Sequence, residues 1–492
     1  MRVLLITPPS PFLLDERVFP HIGILKVAGS LEGAGHSVDM MDLSNIENYK
    51  DVIEDYFKST IEKVVVGITA TTPQIPYAID IVSVINSNFK SKVVKTILGG
   101  THVSLMHSAY KNELKKKHQA RATINISKLQ EYFDLLVCGD GEKAIHQALT
   151  SPIGILDADV KDSNLFLTDE EFSTLPMPAR HLIDLPSYNY SIEGHKATSL
   201  IGQLGCPFMC SFCGGRNSPF LRKIRSRSVE SVIDELRFLH ITYGFTGFMF
   251  YDDELNVTKS LVPLMKRVKE LQKELETEFR LRGFVKSELF NKDQAESMYD
   301  AGFRWLLTGF ESGDSRILVN IDKKASIEDN TKCVEIARNN GLKTKALMSI
   351  GHAGESMDSI HNTKRWLLDV RPDDFDCTII TVYPGTPYYD EAIRFDDTSY
   401  VYSHKKTGDR LYQKDMNFLD HAGYYKGDPD GGYVSYVWTD HISSVELVLE
   451  RDRLEAEVRG ILNIPFNPGK PGITYEHSMG QGIPKFILKG TI

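Results

Sequence analysis

Residues 197–215 of the chain read ATSLIGQLGCPFMCSFCGG. The first seven residues fit a β-strand, and the glycines that follow open a loop containing Cys206, Cys210 and Cys213. The chain has 492 residues and only six cysteines, so half of its thiols lie within eight positions. Such crowding after a strand indicates a metal centre at the strand's carboxyl end.

The spacing of the three cysteines favours an iron–sulfur cluster. One short loop can hold three corners of a four-iron cluster, which leaves the fourth iron without a protein ligand. An open coordination position is what a catalytic metal needs, because a small-molecule chelate can occupy it. Two alternatives stay open: a structural zinc site completed by a histidine, and three free thiols. Neither a second cysteine pair nor a histidine within the loop supports zinc.

The chain continues from this strand as six β–α units. Strand-like segments separated by helical segments predict an open or partial (β/α)6 barrel over residues 196–390, with its active site at the carboxyl ends of the strands. The six predicted strands cover residues 197–203, 247–253, 279–285, 305–311, 343–351 and 376–385.

Polar motifs follow the predicted strands. The second strand ends in YDDE (251–254), the fourth in GFESG (309–313), the fifth in IGHAGES (350–356) and the sixth in YPGTP (383–387). Each has a structural alternative, since Asp252 and Asp253 could cap a helix and Glu311 could form a buried ion pair. Their recurrence at successive strand ends favours one shared ligand.

Residues 1–150 alternate strands and helices in a different rhythm. Continuous apolar strands predict a doubly wound, Rossmann-like parallel sheet that binds ligands at the carboxyl ends of its strands. Those ends are rich in small residues, which let the backbone approach a large flat ligand. The candidate residues around them are Ser10, Gly23, Thr71, Thr72, Gln74, Gly99, Gly100, Thr101, His102, Ser104, Gly139, Gly141 and Glu142. A flavodoxin-like module without this role is the alternative.

Two further segments complete the chain. Residues 151–195 contain Pro and polar clusters and predict a linker. Residues 391–492 predict a C-terminal extension that contains a helix, whose start carries a capping box of Ser443 and Glu446, and a loop-like tail. Its many tyrosines either cap the barrel mouth and shape substrate choice or form a small core.

Composition limits the function classes. A hydrophobic content of 41% and a charged content of 25% are typical of a soluble globular enzyme. The net charge of −9 argues against a nucleic-acid-binding surface, and the one basic run, KKKH (115–118), is expected to be solvated. We find no signal peptide and no apolar run of membrane-spanning length. The clustered thiols predict a reducing, cytoplasmic location, with Cys138, Cys333 and Cys377 buried.

C-x3-C-x2-C after a strand, in a six-unit β–α chain, resembles the radical S-adenosylmethionine (SAM) superfamily. The resemblance implies a [4Fe-4S] cluster whose open iron binds SAM. Phe212, one residue before the last cysteine, would lie by the adenine. Asp252 and Asp253 would hold the methionine amino group, and Glu311 and Ser312 would contact the ligand. The fifth-strand motif that begins at Ile350 carries Ala353 where the family commonly has Pro, which leaves the loop's shape open.

The first domain is similar to that of the cobalamin-binding subfamily, through PPSP, a Gly-containing helix, GGTH and GDGE. The histidine motif D-x-H-x-x-G of many cobalamin proteins is absent from the sequence. The resemblance implies that His102 lines the nucleotide tail or corrin edge, and that Thr71, Thr72 and Gln74 face the lower side of the corrin. His21 and His102 stay as alternative cobalt ligands.

The resemblance implies a C-methyltransferase that uses methylcobalamin and a 5′-deoxyadenosyl radical on an unactivated carbon of a small or medium organic substrate. Tyr383 is a candidate for orienting the substrate, with an ordinary packing role as the alternative. The implied partner is an external one-electron donor of flavodoxin or ferredoxin type, without nucleic acid or membrane. Ring rearrangement or cyclisation without methyl transfer is the alternative reaction. A cobalamin-binding sensor with a degenerate barrel is the alternative of another class.

Overall fold

The computed structural model describes residues 1–13, 15–117, 120–424 and 433–465. Within these residues the chain forms a parallel sheet and a mainly parallel sheet with their helices, and then a small antiparallel sheet and a long helix. No helix in the described ranges has the length and apolar character needed to cross a membrane.

The first sheet has six parallel strands in the order β2-β1-β3-β4-β5-β6. Its elements are β1 (Arg2–Thr7), α1 (Ile22–Gly33), β2 (Ser37–Asp42), α2 (Tyr49–Ser59), β3 (Val64–Thr69), α3 (Ile75–Asn88), β4 (Val93–Gly99), α4 (Thr101–Lys115), α5 (Arg121–Tyr132), β5 (Leu135–Gly139), α6 (Gly141–Ala148) and β6 (Gly154–Ala158). Helices α1 and α6 pack together. They share a core with alternate strand residues, such as Leu5, Ile97 and Val137, on one sheet face.

The strand order indicates where a ligand site is expected on this sheet. Strands β1 and β3 are neighbours, and the chain leaves them in opposite directions along the sheet, to β2 and to β4. In doubly wound sheets the crevice at such a switch point, at the carboxyl ends of the strands, is the binding site. The fold class predicted for this part of the chain is confirmed.

The sheet continues beyond the predicted domain end at residue 150. Strand β6 lies in the predicted linker and pairs in parallel with β5, for example Val137 with Leu156. Strand β6 is short and only half-buried at the edge of the sheet, so it lacks the continuous apolar run of the other strands. The domain boundaries at residues 150, 195 and 390 remain predictions, and β6 belongs to the sheet of the first unit.

The second sheet has the order β15-β14-β13-β12-β11-β8-β7, and its six longer strands are parallel. All six predicted strands are present. The elements are α7 (Asp169–Thr174), β7 (Ser191–Ile192), β8 (His195–Leu200), β9 (Gln203–Leu204), α8 (Pro219–Arg222), β10 (Arg225–Ser226), α9 (Val229–Tyr243), β11 (Gly247–Phe250), α10 (Leu261–Glu274), β12 (Arg280–Phe284), α11 (Lys292–Asp300), β13 (Phe303–Glu311), α12 (Ser315–Asn320), α13 (Ile327–Asn339), β14 (Lys343–Ile350), α14 (Met357–Val370), β15 (Asp374–Ile379) and α15 (Pro387–Asp390). Strands β9 and β10 pair with each other as a separate two-stranded antiparallel sheet.

A loop of the first unit reaches the inner face of this barrel sheet. Val18 and Phe19, between β1 and α1, pack in one cluster with Tyr190 and the sheet residue Met249. The Phe19 ring lies 4.5 Å from the ring of Tyr190 and 5.5 Å from that of Tyr251. The crevice loop of the first sheet is therefore fixed by packing within the barrel.

The C-terminal extension contains a sheet that the sequence did not predict. Strands β16 (Ile393–Asp396), β17 (Ser399–Ser403), β18 (Arg410–Lys414) and β19 (Val437–Trp438) pair antiparallel and precede α16 (Ser444–Leu462). The predicted capping box of Ser443 and Glu446 begins α16. Tyr402, Phe418 and Tyr424 are buried in the main core together with barrel residues, rather than in a separate small core of the extension. Most of the predicted loop-like tail lies outside the described residues.

Candidate active site

The cysteine loop is held against α8 on one side and the end of α12 on the other. Gly205 opens the loop at φ +87°, where a Cβ atom would lie 2.2 Å from the carbonyl oxygen of Lys223. The amide of Cys206 donates to the carbonyl of Leu221. On the far side, the Ser211 hydroxyl donates to Asp322 at 2.7 Å. These contacts give the three thiols a defined frame.

The three thiols are free, and none of them is fully buried. Cys213 is accessible to solvent. Burial by the surrounding protein nevertheless raises the pKa of its thiol, with the neighbouring Cys210 and Cys206 adding to the shift. The thiols of Cys138, Cys333 and Cys377 are buried in the core, as predicted.

The zinc alternative does not agree with this geometry. Zinc–sulfur bonds of about 2.3 Å bring thiolate sulfurs to within roughly 4 Å of one another. Among the described residues no group of three His, Cys, Asp or Glu side chains is gathered around one ion position.

The two predicted aspartates at the end of β11 hold the start of the cysteine loop. Asp252 accepts a hydrogen bond from the amide of Gly202 at 3.2 Å, and Asp253 accepts one from the amide of Gly205 at 2.8 Å. Burial raises the pKa of both carboxyls, that of Asp252 to about 7. The Oδ2 atom of each aspartate is thus bound to a backbone amide at the start of the cysteine loop.

Glu254, the third acid after β11, has a carboxylate oxygen without a hydrogen-bond partner among the described residues. Its Oε2 atom is buried and has no hydrogen-bond partner among the described residues. Burial raises the pKa of Glu254 to about 7, against the opposing influence of Lys323 and Lys286. The sequence predicted the two aspartates of the YDDE motif as ligand contacts, and not Glu254. The third acid in the run was the available signal.

Two buried lysines lie close to the same acid and to the cysteines. Lys286 follows β12, with its Nζ 4.1 Å from the ring centroid of Phe208 in the cysteine loop and 3.0 Å from Glu288. Lys323 follows α12 and lies 3.3 Å from Glu311. Both ammonium groups lower the pKa of Cys210, although burial raises it overall. Neither lysine was predicted, because each is an isolated charge in the sequence.

Glu311 forms the buried ion pair that was its structural alternative, and it also belongs to a longer chain of contacts. It has φ +65°, at a bulge between β13 and β14. Ser349 donates to its Oε2 at 2.7 Å and lies 2.8 Å from Nε2 of His352. Burial lowers the pKa of His352 to about 3, so its ring is neutral. Phe212 meets that ring edge-on at 5.1 Å, which joins the cysteine loop to the fifth strand end.

The remaining predicted barrel residues lie in different settings. Ser312 is buried and hydrogen-bonded to Thr363 at 3.1 Å, which fixes the turn after β13. Ile350 is a buried core residue at the end of β14. Tyr383 follows β15, is half-buried, and lies 6.4 Å from the ring of Tyr424 in the extension.

The first sheet carries a cavity of about 280 Å³ at the carboxyl ends of its strands. Seven of the predicted residues line it: Gly23, Gly99, Gly100, Thr101, Gly139, Gly141 and Glu142. Its deeper wall consists of apolar strand and helix residues such as Leu5, Ile97 and Ile145, together with Gly67. Lys26 and Glu142 form an ion pair of 3.1 Å in its lining, and sequence reasoning missed Lys26.

The other predicted residues of this domain lie in the segments after β1 and β3 and on the first turn of α4. Gln74 donates to Ser10 at 2.9 Å and forms a capping box with Thr71. The Nδ1 atom of His102 lies 3.1 Å from the hydroxyl of Thr72, while its Nε2 atom is buried without a partner in the described ranges. Burial lowers the pKa of His102 to about 3. Ser104 lies on the first turn of α4 and accepts from the amide of Gly139.

The cavity and the cysteine loop share a wall. Ile201, Leu204 and Phe220, which flank the cysteine loop on both sides, line the cavity of the first sheet. From the other side, Leu105 of α4 lies 3.2 Å from where a Cβ atom of Gly214 would be. A group in the cavity and a group on the cysteines would therefore be neighbours.

Two family models match the chain at these two places. Residues 200–367 match the radical SAM superfamily, and residues 16–115 match the B12 binding domain. The chain is a cobalamin-binding radical SAM enzyme. The first match begins just before the cysteine loop of this enzyme and covers β11 to α14. The second covers α1, β3 and β4, which line the cavity.

Known proteins resemble this radical SAM enzyme over most of its length. An uncharacterized methyltransferase of Pyrococcus horikoshii is 27% identical over 80% of the chain and 83% of its own length. The anaerobic magnesium-protoporphyrin IX monomethyl ester cyclase of Synechocystis is 22% identical over 82% of the chain and 81% of its own length. The radical SAM methyltransferase TsrM of Kitasatospora setae has the same fold, with a TM-score of 0.66, 15% identity and coverage of 96% and 93%.

The two domains assign SAM, a [4Fe-4S] cluster and cobalamin as cofactors, which confirms the prediction. The residues present fit these groups. Three free thiols lie on one short loop, and a partnerless carboxylate oxygen of Glu254 lies near two ammonium groups. Residues that flank this loop line the glycine-rich cavity of the first sheet.

Proposed function

We propose that this enzyme transfers a methyl group to an unactivated carbon of a small or medium organic substrate. The observation that carries the proposal is the shared wall, in which Ile201, Leu204 and Phe220 separate the B12-domain cavity from the cysteine loop. When bound, SAM on the cluster supplies a carbon-centred radical, and cobalamin supplies a methyl group. Only neighbouring sites allow both to act on one substrate atom.

The cysteine loop would hold the cluster. Cys206, Cys210 and Cys213 would each bind one iron as thiolates. Lys286 and Lys323 favour the thiolate form of Cys210. Asp252 and Asp253 fix the loop through the amides of Gly202 and Gly205. The aspartates then support the site without touching the ligand.

The charges beside the cysteines suit the amino-acid end of SAM. The free Oε2 of Glu254 can accept a hydrogen bond from its amino group, and Lys286 and Lys323 can face its carboxylate. Charge-assisted hydrogen bonds in a buried site are among the stronger polar contacts in proteins. Phe212, against the neutral ring of His352, offers an apolar edge for the adenine. Glu311, Ser312 and Ile350 shape the neighbouring turns.

The first domain would hold cobalamin in its cavity. Backbone at Gly99, Gly100 and Gly139 lets a large ligand approach the strand ends closely. Gly100, at φ +99°, leaves no room for a Cβ atom, which would lie 2.6 Å from the carbonyl oxygen of Ala70. The Ser10, Thr71 and Gln74 network fixes the loop that would face the corrin. The neutral His102 borders the same edge.

The substrate and electron donor belong to the same proposal. Tyr383 and the buried aromatic residues of residues 391–424 border the last strand, where they can exclude water and orient an organic substrate. An external flavodoxin- or ferredoxin-type protein would supply single electrons. The six free cysteines suit a reducing, cytoplasmic location.

Product analysis tests the methyl-transfer proposal. Anaerobic enzyme reconstituted with iron, sulfide and methylcobalamin should convert SAM to both 5′-deoxyadenosine and S-adenosylhomocysteine, and the substrate should gain one CH2 unit. Deuterium from the attacked carbon should appear in the deoxyadenosine. Formation of 5′-deoxyadenosine without S-adenosylhomocysteine would contradict methyl transfer.

Cyclisation without methyl transfer is a second candidate. It is favoured by the similarity to the cyclase of Synechocystis, which extends over 82% of the chain. This reaction predicts a product that has lost hydrogen at unchanged carbon number. The same mass analysis therefore separates the two candidates.

A further inference from the structure

Arg222, the last residue of α8, forms an unusual set of contacts behind the cysteine loop. Its guanidinium donates to the carbonyl oxygens of Pro207 at 2.8 Å, Arg216 at 3.3 Å and Phe208 at 3.5 Å. It also contacts the sulfur of Met209. Pro207, Phe208 and Met209 lie between the first two cysteines, and Arg216 follows the third. One side chain therefore joins both arms of the loop.

The charge of Arg222 is not neutralised by an acid. No carboxylate lies within ion-pair distance of it in the part of the chain that the structure describes. The adjacent Arg216 faces Asp322, and Lys223 faces Asp162. Carbonyl oxygens solvate the guanidinium but leave its full positive charge beside the loop.

We propose that Arg222 is a positioning residue that closes the cysteine loop and whose unpaired charge raises the reduction potential of the bound cluster. The proposal rests on the radical SAM function proposed above. A rigid, forked guanidinium can reach three carbonyls at once, which a lysine ammonium cannot do equally well. A positive charge close to the cluster stabilises the form that has gained an electron, because the interaction follows Coulomb's law.

The test separates the charge from the hydrogen bonds by comparing Arg222→Lys and Arg222→Met with the native enzyme. The midpoint potential of the reconstituted cluster is measured by EPR-monitored titration without SAM. Amide exchange of residues 206–216 is measured on the apoprotein. Lys223→Met is the matched control, since it removes the next charge, which does not contact the loop carbonyls.

For Arg222→Met we expect the reduction equilibrium to shift at least threefold toward the oxidised form, a midpoint about 28 mV lower. Arg222→Lys should keep the reduction equilibrium constant within threefold of the native value. Both variants should exchange the loop amides at least tenfold faster, and Lys223→Met should change neither quantity. An Arg222→Met potential equal to the native one overturns the electrostatic role, and unchanged exchange overturns the positioning role.

Two further outcomes are informative. If Arg222→Met protein retains no cluster while Arg222→Lys does, with faster exchange in both, the positioning role is supported, and Arg222→Gln then tests the charge. If the native protein itself binds no cluster, the function proposed above fails instead, whereas the exchange experiment still tests the loop contacts.

Discussion

Asp140 and Arg225 form a fully buried ion pair, with 2.6 Å between Oδ1 and Nη1. Asp140 is the N-cap residue of α6 in the first domain, and Arg225 lies on β10 beyond the cysteine loop. Arg225 also donates to the carbonyl of Phe220 at 2.7 Å and lies over the Phe220 ring. The pair therefore anchors Phe220, a wall residue of the first-sheet cavity, to the first domain.

Replacing Arg225 with Met should strongly destabilise the protein. Asp140 would remain buried without its partner, which typically costs about 3–5 kcal/mol. Cobalamin affinity should fall as well, since the Phe220 wall loses its anchor. Denaturant unfolding and cobalamin binding by absorbance measure both effects. The double variant Asp140→Asn/Arg225→Met should recover part of the stability, because Asn still accepts from the Leu167 amide; additive losses would argue against a coupled pair.

Each cysteine of the loop should be required for the cluster. We expect Cys206→Ala, Cys210→Ala and Cys213→Ala to lose most bound iron and sulfide after reconstitution, because each of the three thiolates would bind one iron of the cluster. Iron and sulfide analysis with the visible spectrum is the measurement. Cys333→Ala, which removes a buried core thiol, should keep the cluster. Full iron content in Cys213→Ala would exclude the three-thiolate arrangement.

Glu254→Gln should weaken SAM binding while leaving cluster content unchanged. Loss of one charge-assisted hydrogen bond, at about 1.5–3 kcal/mol, corresponds to roughly a 10- to 100-fold higher Kd. Calorimetric titration of the reconstituted enzyme with SAM measures it. Glu278→Gln is the control. Glu278 is exposed and precedes the amino end of β12, whereas Glu254 follows the carboxyl end of β11. A normal Kd in Glu254→Gln would return Asp252 and Asp253 to consideration.

Gly67→Val should block the cobalamin cavity. A Cβ atom at Gly67 would already lie 2.8 Å from a Leu5 methyl carbon, so the valine methyls must enter the lined space. We expect cobalamin affinity to fall at least tenfold while SAM affinity and cluster content persist. Gly460→Ala, whose added methyl meets nothing within 4 Å, should leave cobalamin binding intact. Unimpaired binding in Gly67→Val would place the cofactor elsewhere.

Glu355 should make the apoprotein less stable as pH rises. Burial raises its pKa from 4.5 to about 7, despite hydrogen bonds from Ser359 and the Gly351 amide. Because the folded pKa exceeds the unfolded pKa, this contribution is full below about pH 4.5 and is lost as pH rises through 7. Between pH 5.5 and 8 the loss is on the order of 1–2 kcal/mol.

Unfolding curves of native protein and Glu355→Gln at several pH values measure that contribution. The stability difference between the two proteins should change with pH in this window, in favour of the variant at pH 8. Asp358→Asn, at an exposed carboxyl three residues away, should follow the native pH profile. A pH-independent difference between native protein and Glu355→Gln would show that Glu355 has an ordinary pKa.

The sequence alone determined the two parallel sheets, the cysteine triad and the cofactor class. These features are local. Contiguous residues show the periodicity of strands and helices and the spacing of Cys206, Cys210 and Cys213. The capping box at Ser443 is equally local and was found at the predicted place. Strand β6 and the four short strands of the extension were missed, since short half-buried strands depend on the partners that they find in the fold.

Only the tertiary structure decided how the polar residues divide their roles. Asp252, Asp253 and Glu254 are consecutive acids, yet the two aspartates bind backbone amides while Glu254 keeps a free oxygen. Lys286 and Lys323 come from separate β–α units and converge near Cys210. Whether a buried polar atom is already satisfied, and which distant charge lies beside it, depends on three-dimensional packing that no local pattern records.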